Sequence, residues 1–362
     1  MIKHAQLPQL TGIRAVAFLM VFFFHVGFHG FLMWSGVDLF FVLSGYLITG
    51  ILLTQDKTAG YFRVFYARRF LRIFPPFYLV LALGLIVLDD LSKPQLSSIV
   101  LFYTNLYSPF AETTTAPLSY WALSPYWSLA LEEQFYLLWP LMVYKLSTRG
   151  LLRLCLALIV LSPLMRALTY EFIFLPQVAG YEAIFHFPWN RLDLLASGAA
   201  IAVCQREGSF ARAAMARSGL WLTVGSLAII GLFAALFPEF RYSGHSLLFS
   251  TLGLSAVCGV TSGVILYLTN TRSGFVVKLL SWAPVVYIGT ISYTLYLLHG
   301  IVLVALTQHT PLHSGWLYAS SALAVTVALA ALSWSWIERP AKQIKDSPRF
   351  LRFIGIAASR SP

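Results

Sequence analysis

The chain is interrupted again and again by apolar stretches long enough to pass through a bilayer, and these leave little room for another architecture. Ten candidate spans lie near residues 10–29, 36–54, 73–90, 128–146, 151–168, 190–204, 220–237, 247–269, 284–306 and 316–337. A bilayer-spanning helix needs about 20 mostly apolar residues. Only helices and closed barrels satisfy their backbone inside lipid. Charged residues make up 11% of the 362 and hydrophobic residues 58%, whereas a soluble domain carries about 25% charged residues. The expected fold class is therefore all-α, a polytopic membrane protein of about ten transmembrane helices. One transmembrane domain would cover 1–345, with a basic tail over 346–362. Pro75–Pro76 and Gly198 are expected to interrupt the third and sixth spans, which is tolerated only where neighbours or a cavity satisfy the backbone.

A net charge of +11 would suit nucleic acid if it formed one patch. Here the basic residues fall in short clusters between apolar runs, which is a topology signal, and no nucleic-acid partner is expected. Ten spans put both termini on one side. The segments on that side hold Lys3, then Lys57, Arg63, Arg68, Arg69 and Arg72, then Lys145, Arg149 and Arg153. They continue with Arg206, Arg212, Arg217, Arg272 and Lys278, and end with Arg339, Lys342, Lys345, Arg349, Arg352 and Arg360. That is 20 of the 25 Lys and Arg, and only Lys93 and Arg241 lie clearly in loops on the other side. The positive-inside rule then places both termini in the cytosol. Cys155, Cys204 and Cys258 all lie in apolar runs, so no disulfide framework is expected. The first apolar run lacks a small-residue cleavage site and reads as a retained helix. The longest external segment, 91–127, is rich in aromatic residues and either dips into the membrane or caps a cavity.

Ionisable side chains inside spans cost about 2.5–3.5 kcal/mol each at a helix centre and so mark function. The first span carries Arg14 and His25, 11 residues apart. That spacing is about three helical turns, with the two side chains about 20° apart in azimuth and about 16 Å apart along the axis. His29 reads as interfacial. Asp38, at the start of the second span, either caps that helix or orients the His25 imidazole as in a catalytic triad, and the two roles are compatible. Glu132 and Glu133 open the fourth span. Adjacent helical residues point about 100° apart, so one is expected at a site and the other at the interface. Arg191 and Asp193, at the start of the sixth span, read as a structural pair. His299, deep in the ninth, reads as a satisfied core histidine or a catalytic one. Arg68, Arg69 and Arg72 would share one face if helical. They are either an orientation signal or a clamp for an anionic donor or lipid head group, since Arg binds phosphate bidentately. No metal motif is present.

These segments together resemble the membrane-bound acyltransferase-3 family over about residues 7–342. The likeness is carried by Leu10-Thr11-Gly12-Ile13-Arg14-Ala15 with His25, by the segment from Gly36 to Ile48, and by the segment from Arg68 to Pro75. It continues in Trp127–Trp139, Arg191-Leu192-Asp193, Ser292–His299 and Glu338-Arg339-Pro340. The resemblance implies ten helices in a bacterial plasma (inner) membrane. It also implies transfer of an acyl group, often acetyl from acetyl-CoA, to a hydroxyl of a glycan or glycolipid acceptor. Acyl-CoA would then be a donor substrate, with no cofactor bound permanently. Arg14 with His25 matches the family's Arg–His motif, Arg68, Arg69 and Arg72 its cytosolic Arg motif, and Glu132 its Glu after Trp-Ser-Leu. The catalytic candidates are thus His25, Asp38 and Glu132, and the donor-binding ones Arg14, Arg68, Arg69 and Arg72. Glu133, Arg191, Asp193, Tyr293 and His299 are candidates for the site's lining. His25 would act as general base or as an acyl-histidine nucleophile. Some relatives carry a soluble esterase-like domain after the membrane part. With about 20 residues after Pro340, the expectation is direct transfer or a separate partner protein. Assembly into a homo-oligomer is left open. The rival class is a multispanning transporter or flippase, which also buries Arg, His and Glu, but no inverted repeat is visible in the sequence.

Overall fold

Each of the ten expected spans coincides with a helix. These are α1 Pro8–His25, α2 Gly36–Thr54, α3 Tyr61–Val87, α4 Trp127–Lys145 and α5 Thr148–Thr169, followed by α6 Leu192–Glu207, α7 Arg212–Leu236, α8 Leu254–Asn270, α9 Ser292–His309 and α10 Gly315–Ser333. The computed structural model describes residues 7–30, 32–57, 60–88, 91–111, 118–177, 179, 181–208, 211–237, 246–345 and 347–354, and every regular element among them is helical. Lys3, Arg241 and Arg360, the side chains of Lys345 and Arg352, and all of the tail but 347–354 lie outside the described residues.

Among the described residues seven helices are long and apolar enough to cross a bilayer alone. An eighth qualifies if Ala283–Thr290 and α9, bent by 69° where they meet, form one span. The chain is a multi-pass membrane protein, but α4 and α6 do not meet that standard by themselves. The run Glu132-Glu133-Gln134 makes α4 too polar, and α6 has only 16 residues. α6 can be sub-standard because most of its length is packed among neighbouring helices, whereas α4 turns Leu131, Phe135 and Trp139 inward and leaves Leu137 and Leu138 exposed on its other face.

Two expected interruptions are absent. α3 runs unbroken through Pro75 and Pro76 over 27 residues, about 40 Å at the usual rise. A buried stripe of Ile73, Pro76, Phe77 and Val80 holds the turns on either side, although proline removes a backbone donor. Arg68, Arg69 and Arg72 therefore stand on a helix and not in a loop. Gly198 does not break α6 either. A Cβ there would lie 1.9 Å from the Val42 carbonyl oxygen, and one on Gly45 would lie 2.0 Å from that of Leu195. The two glycines let the backbones of α2 and α6 touch, the small-residue contact by which membrane helices associate without a hydrophobic driving force.

The external segment packs into the bundle. Ala122, in the short helix Leu118–Leu123, meets α9 at Gly300, where a Cβ would come within 2.1 Å of the Ala122 carbonyl oxygen. Phe102 stacks near Phe77, with ring centroids 4.6 Å apart. Three π-helical turns, Tyr170–Phe174, Phe249–Gly253 and Trp334–Glu338, interrupt regular helix. Such turns often sit at functional sites, and all three contribute to cavity walls.

Candidate active site

Three cavities follow one another along α1, and the register of that helix orders them. The lower cavity takes Leu7, Leu10, Thr11 and Arg14 from α1. The middle cavity takes Arg14. The upper cavity takes Val21, Phe24 and His25. α2 runs the opposite way and gives the same order, from Gly50 in the lower cavity to Asp38 in the upper. Neighbouring cavities share walls. Arg14, Leu47, Arg72 and Tyr293 line both lower and middle, and Val37 and Tyr296 line both middle and upper. The Arg14 and His25 side chains thus face the interior, at two levels of one inward stripe. This is the outcome the 11-residue spacing demands.

The middle cavity brings Arg14, Arg69 and Arg72 together with Glu132, Glu133 and Tyr293. Both glutamates line it, which corrects the expectation that one would face the interface. They lie in the second turn of α4, partly buried, where the cavity is wide enough to take both side chains. The Arg69 guanidinium lies 5.3 Å from the Tyr136 ring and 5.6 Å from the Phe65 ring. The Tyr136 hydroxyl donates to Glu132 Oε2 at 3.3 Å and makes a very short contact with Ser44 Oγ. Neither of the two ion pairs among the described residues uses Arg14, Arg69 or Arg72. Their charged-group donors are therefore open to an anionic ligand. Arg68 is not in this wall. In the lower cavity Arg72 and Lys342 are exposed, and Glu338 accepts from the Thr294 hydroxyl at 2.7 Å.

In the upper cavity His25 is exposed toward the open space. Its Nδ1 lies 2.9 Å from the Val21 carbonyl oxygen. A carbonyl only accepts, so Nδ1 must carry the hydrogen, and in the neutral ring Nε2 is left as the bare, basic nitrogen. The partner expected from sequence is not there. Asp38 is bound to Arg191 in a buried ion pair, and Glu132 sits one cavity lower. The group beside His25 is His299, with Nε2 of His299 3.4 Å from Nδ1 of His25. The α2–α6 contact through Gly45 and Gly198 brings Asp38 and Arg191 to the same level, and a guanidinium one residue ahead of α6 outcompetes an imidazole for a carboxylate.

The expected Arg191–Asp193 pair is likewise replaced. Asp193 accepts from Arg166 at 2.8 Å, and Arg166 also donates to the Asn190 carbonyl and to Ser255. Two residues apart on a helix point to different sides, so Arg191 turns to α2 and Asp193 to α5. Sequence reading passed over the upper cavity's aromatic wall, which includes Trp34, Trp127, Tyr181 and Phe185. It also passed over His186, stacked on Trp127 at 4.4 Å and held by Ser108 at 2.6 Å. His29, read as interfacial, lines this cavity too. Tyr136 and Ser44 lie in segments whose motif character was visible, and an i, i+4 search from Glu132 finds the tyrosine.

The profile of the acyltransferase-3 family, described as an acyltransferase domain, matches residues 7–335. A putative peptidoglycan O-acetyltransferase of Bacillus subtilis, YrhL, is 31% identical over 369 residues, covering 93% of this chain and 55% of the relative. The peptidoglycan O-acetyltransferase OatA of Listeria monocytogenes is 29% identical, covering 93% and 56%. The O-acetyltransferase OatA of Staphylococcus aureus is 27% identical, covering 93% and 57%. The chain thus spans little more than half the length of these curated relatives. No solved structure matches it. With its profile match covering nearly the whole chain, and its arginines and histidine set along one line of cavities, this protein belongs to the acyltransferase-3 family.

Proposed function

We propose that this chain is a membrane O-acyltransferase of the bacterial plasma membrane, with both termini cytosolic. It would move an acyl group, acetyl by likeness to its relatives, from acyl-CoA to a hydroxyl of a glycan. The relatives' names make peptidoglycan the first acceptor to try. The observation that carries this reading is the placement of Arg14 and His25 on one helix, in cavities whose walls are shared.

The donor enters the lower cavity from the cytosol. Its phosphates meet Arg72 and Lys342, and Arg14 and Arg69 bind the charge further in. Guanidinium groups serve here because they stay charged and bind phosphate oxygens in pairs. The thioester extends toward the partition at Val37 and Tyr296. The acceptor occupies the upper cavity, whose aromatic faces can pack against a sugar ring while polar groups orient it.

His25 Nε2 takes the proton from the acceptor hydroxyl as that oxygen attacks the thioester carbonyl. A C–O bond forms, the C–S bond breaks, and the proton passes from His25 to the departing thiolate. Asp38 and Arg191 brace the cavity wall beside the acceptor. Glu132, held by Tyr136, balances the arginines of the middle cavity so that the donor's charge is attracted but can leave. Purified protein supplied with labelled acetyl-CoA and glycan fragments tests the reading. Labelled ester on the glycan is expected, and glycan movement across a membrane without ester formation would favour a transporter.

A further inference from the structure

Resting on the reading that His25 is the base, we propose that His299 is its positioning partner and shares the proton that His25 removes from the acceptor. His299 is fully buried in α9. Its Nδ1 lies 2.6 Å from the Tyr296 carbonyl oxygen, so Nδ1 carries the hydrogen and Nε2 of the neutral ring is bare. The same argument at Val21 puts a hydrogen on Nδ1 of His25. The single hydrogen on Nδ1 of His25 is therefore shared between the Val21 carbonyl oxygen at 2.9 Å and the lone pair on Nε2 of His299 at 3.4 Å. Their ring centroids are 5.1 Å apart. Two independent backbone carbonyls set complementary tautomers, which a merely space-filling histidine would not need.

The separation is long for a resting hydrogen bond. Catalytic contacts in unliganded sites often are long and tighten as charge develops. When Nε2 of His25 takes the hydroxyl proton, the ring becomes a cation. Among the described residues no carboxylate forms an ion pair with either ring, since Asp38 belongs to Arg191 and Asp193 to Arg166. His299 fills that place. The hydrogen on Nδ1 of His25 shifts to Nε2 of His299, whose Nδ1–H stays on Tyr296. The shift reverses as the proton on Nε2 of His25 goes to the thiolate, so no atom or charge is left over. Tyr296 ties this pair to the partition between cavities, because the same residue supplies the carbonyl and the wall.

The test is a proton inventory: kcat for acyl transfer by the purified full chain, measured in mixtures of H2O and D2O. Two protons in flight predict a bowed plot for the wild-type protein. His299→Gln keeps a hydrogen-bond acceptor but cannot take up a proton. It should lower kcat by about 100-fold, the lower range for acid–base assistance, with a straight plot and KM for acyl-CoA little changed. A straight wild-type plot overturns the proposal without any variant. So does a His299→Gln protein with near wild-type kcat, or one that is slow but still gives a bowed plot. His25→Ala in the same assay separates the two claims, because transfer surviving that change would remove the base itself.

Discussion

Arg166 on α5 and Asp193 on α6 meet at 2.8 Å with relative exposures of 0% and 2%, and the same guanidinium reaches α8 through Ser255 at 2.7 Å. One side chain thereby fastens three helices behind the upper cavity. Removing one charge of a buried pair strands the other, at a cost of about 3–5 kcal/mol, whereas replacing both by apolar groups costs far less. Asp193→Leu should therefore lower the thermal midpoint of the purified protein sharply, and Arg166→Met with Asp193→Leu should recover much of the loss. A double variant no better than the single one would mean that the pair's other hydrogen bonds, to Asn190 and Ser255, matter more than its charge.

The contact between α2 and α6 makes a second prediction. A Cβ at Gly198 would overlap the Val42 carbonyl oxygen at 1.9 Å, while one at Gly225 on α7 meets nothing within 4 Å. Overpacking a close contact costs about 1–3 kcal/mol. Gly198→Ala should therefore destabilise the protein and lower activity, by shifting Asp38 against Arg191. Gly225→Ala should leave both unchanged. Thermal unfolding of the two variants side by side decides the matter, and equal stability would count against backbone contact at Gly198.

These two features show what the sequence could and could not reveal. The helices were legible because a bilayer demands about 20 apolar residues in a row. The inward stripe of Arg14 and His25 was legible because both lie on one helix with a fixed period. The partners were not. Asp38 and Arg191 are 153 positions apart, and their meeting depends on how closely two glycines let α2 and α6 approach. His299 reaches His25 across 274 positions, and its own helix alone leaves both a core and a catalytic histidine open. Gly198 read as a break because local propensity says nothing about a neighbouring backbone. Glu132 and Glu133 read as a split pair because a cavity wide enough to collect both is a property of the bundle.

The donor clamp predicts a split between two neighbours on α3. Arg69 lines the middle cavity and Arg68 does not. Hydrogen bonds to charged groups contribute about 1.5–3 kcal/mol, so Arg69→Ala should raise KM for acyl-CoA by about tenfold or more. The preference among acceptors should stay as it was. Arg68→Ala should move donor KM much less. Equal effects at the two positions would reduce the cluster to an orientation signal.

On the other side of the partition, Trp127 stacks on His186 at 4.4 Å in the wall of the upper cavity. Buried aromatic anchors commonly carry a large share of binding energy. Trp127→Ala should raise KM for the glycan by about tenfold while leaving KM for acyl-CoA untouched. Initial rates with each substrate varied in turn would show it, and a change in donor KM instead would place the acceptor elsewhere.

The most direct measurement is a single-turnover assay of the purified full chain with labelled acyl-CoA and a glycan acceptor, comparing wild type with His25→Ala. With the imidazole in place, label should move onto the glycan. Without it, transfer should fall by a factor of about 100 or more, although the protein still binds acyl-CoA through Arg14, Arg69 and Arg72. Transfer at the wild-type rate by the alanine variant would contradict the assignment of His25, and with it the upper cavity as the place where the acyl group changes hands.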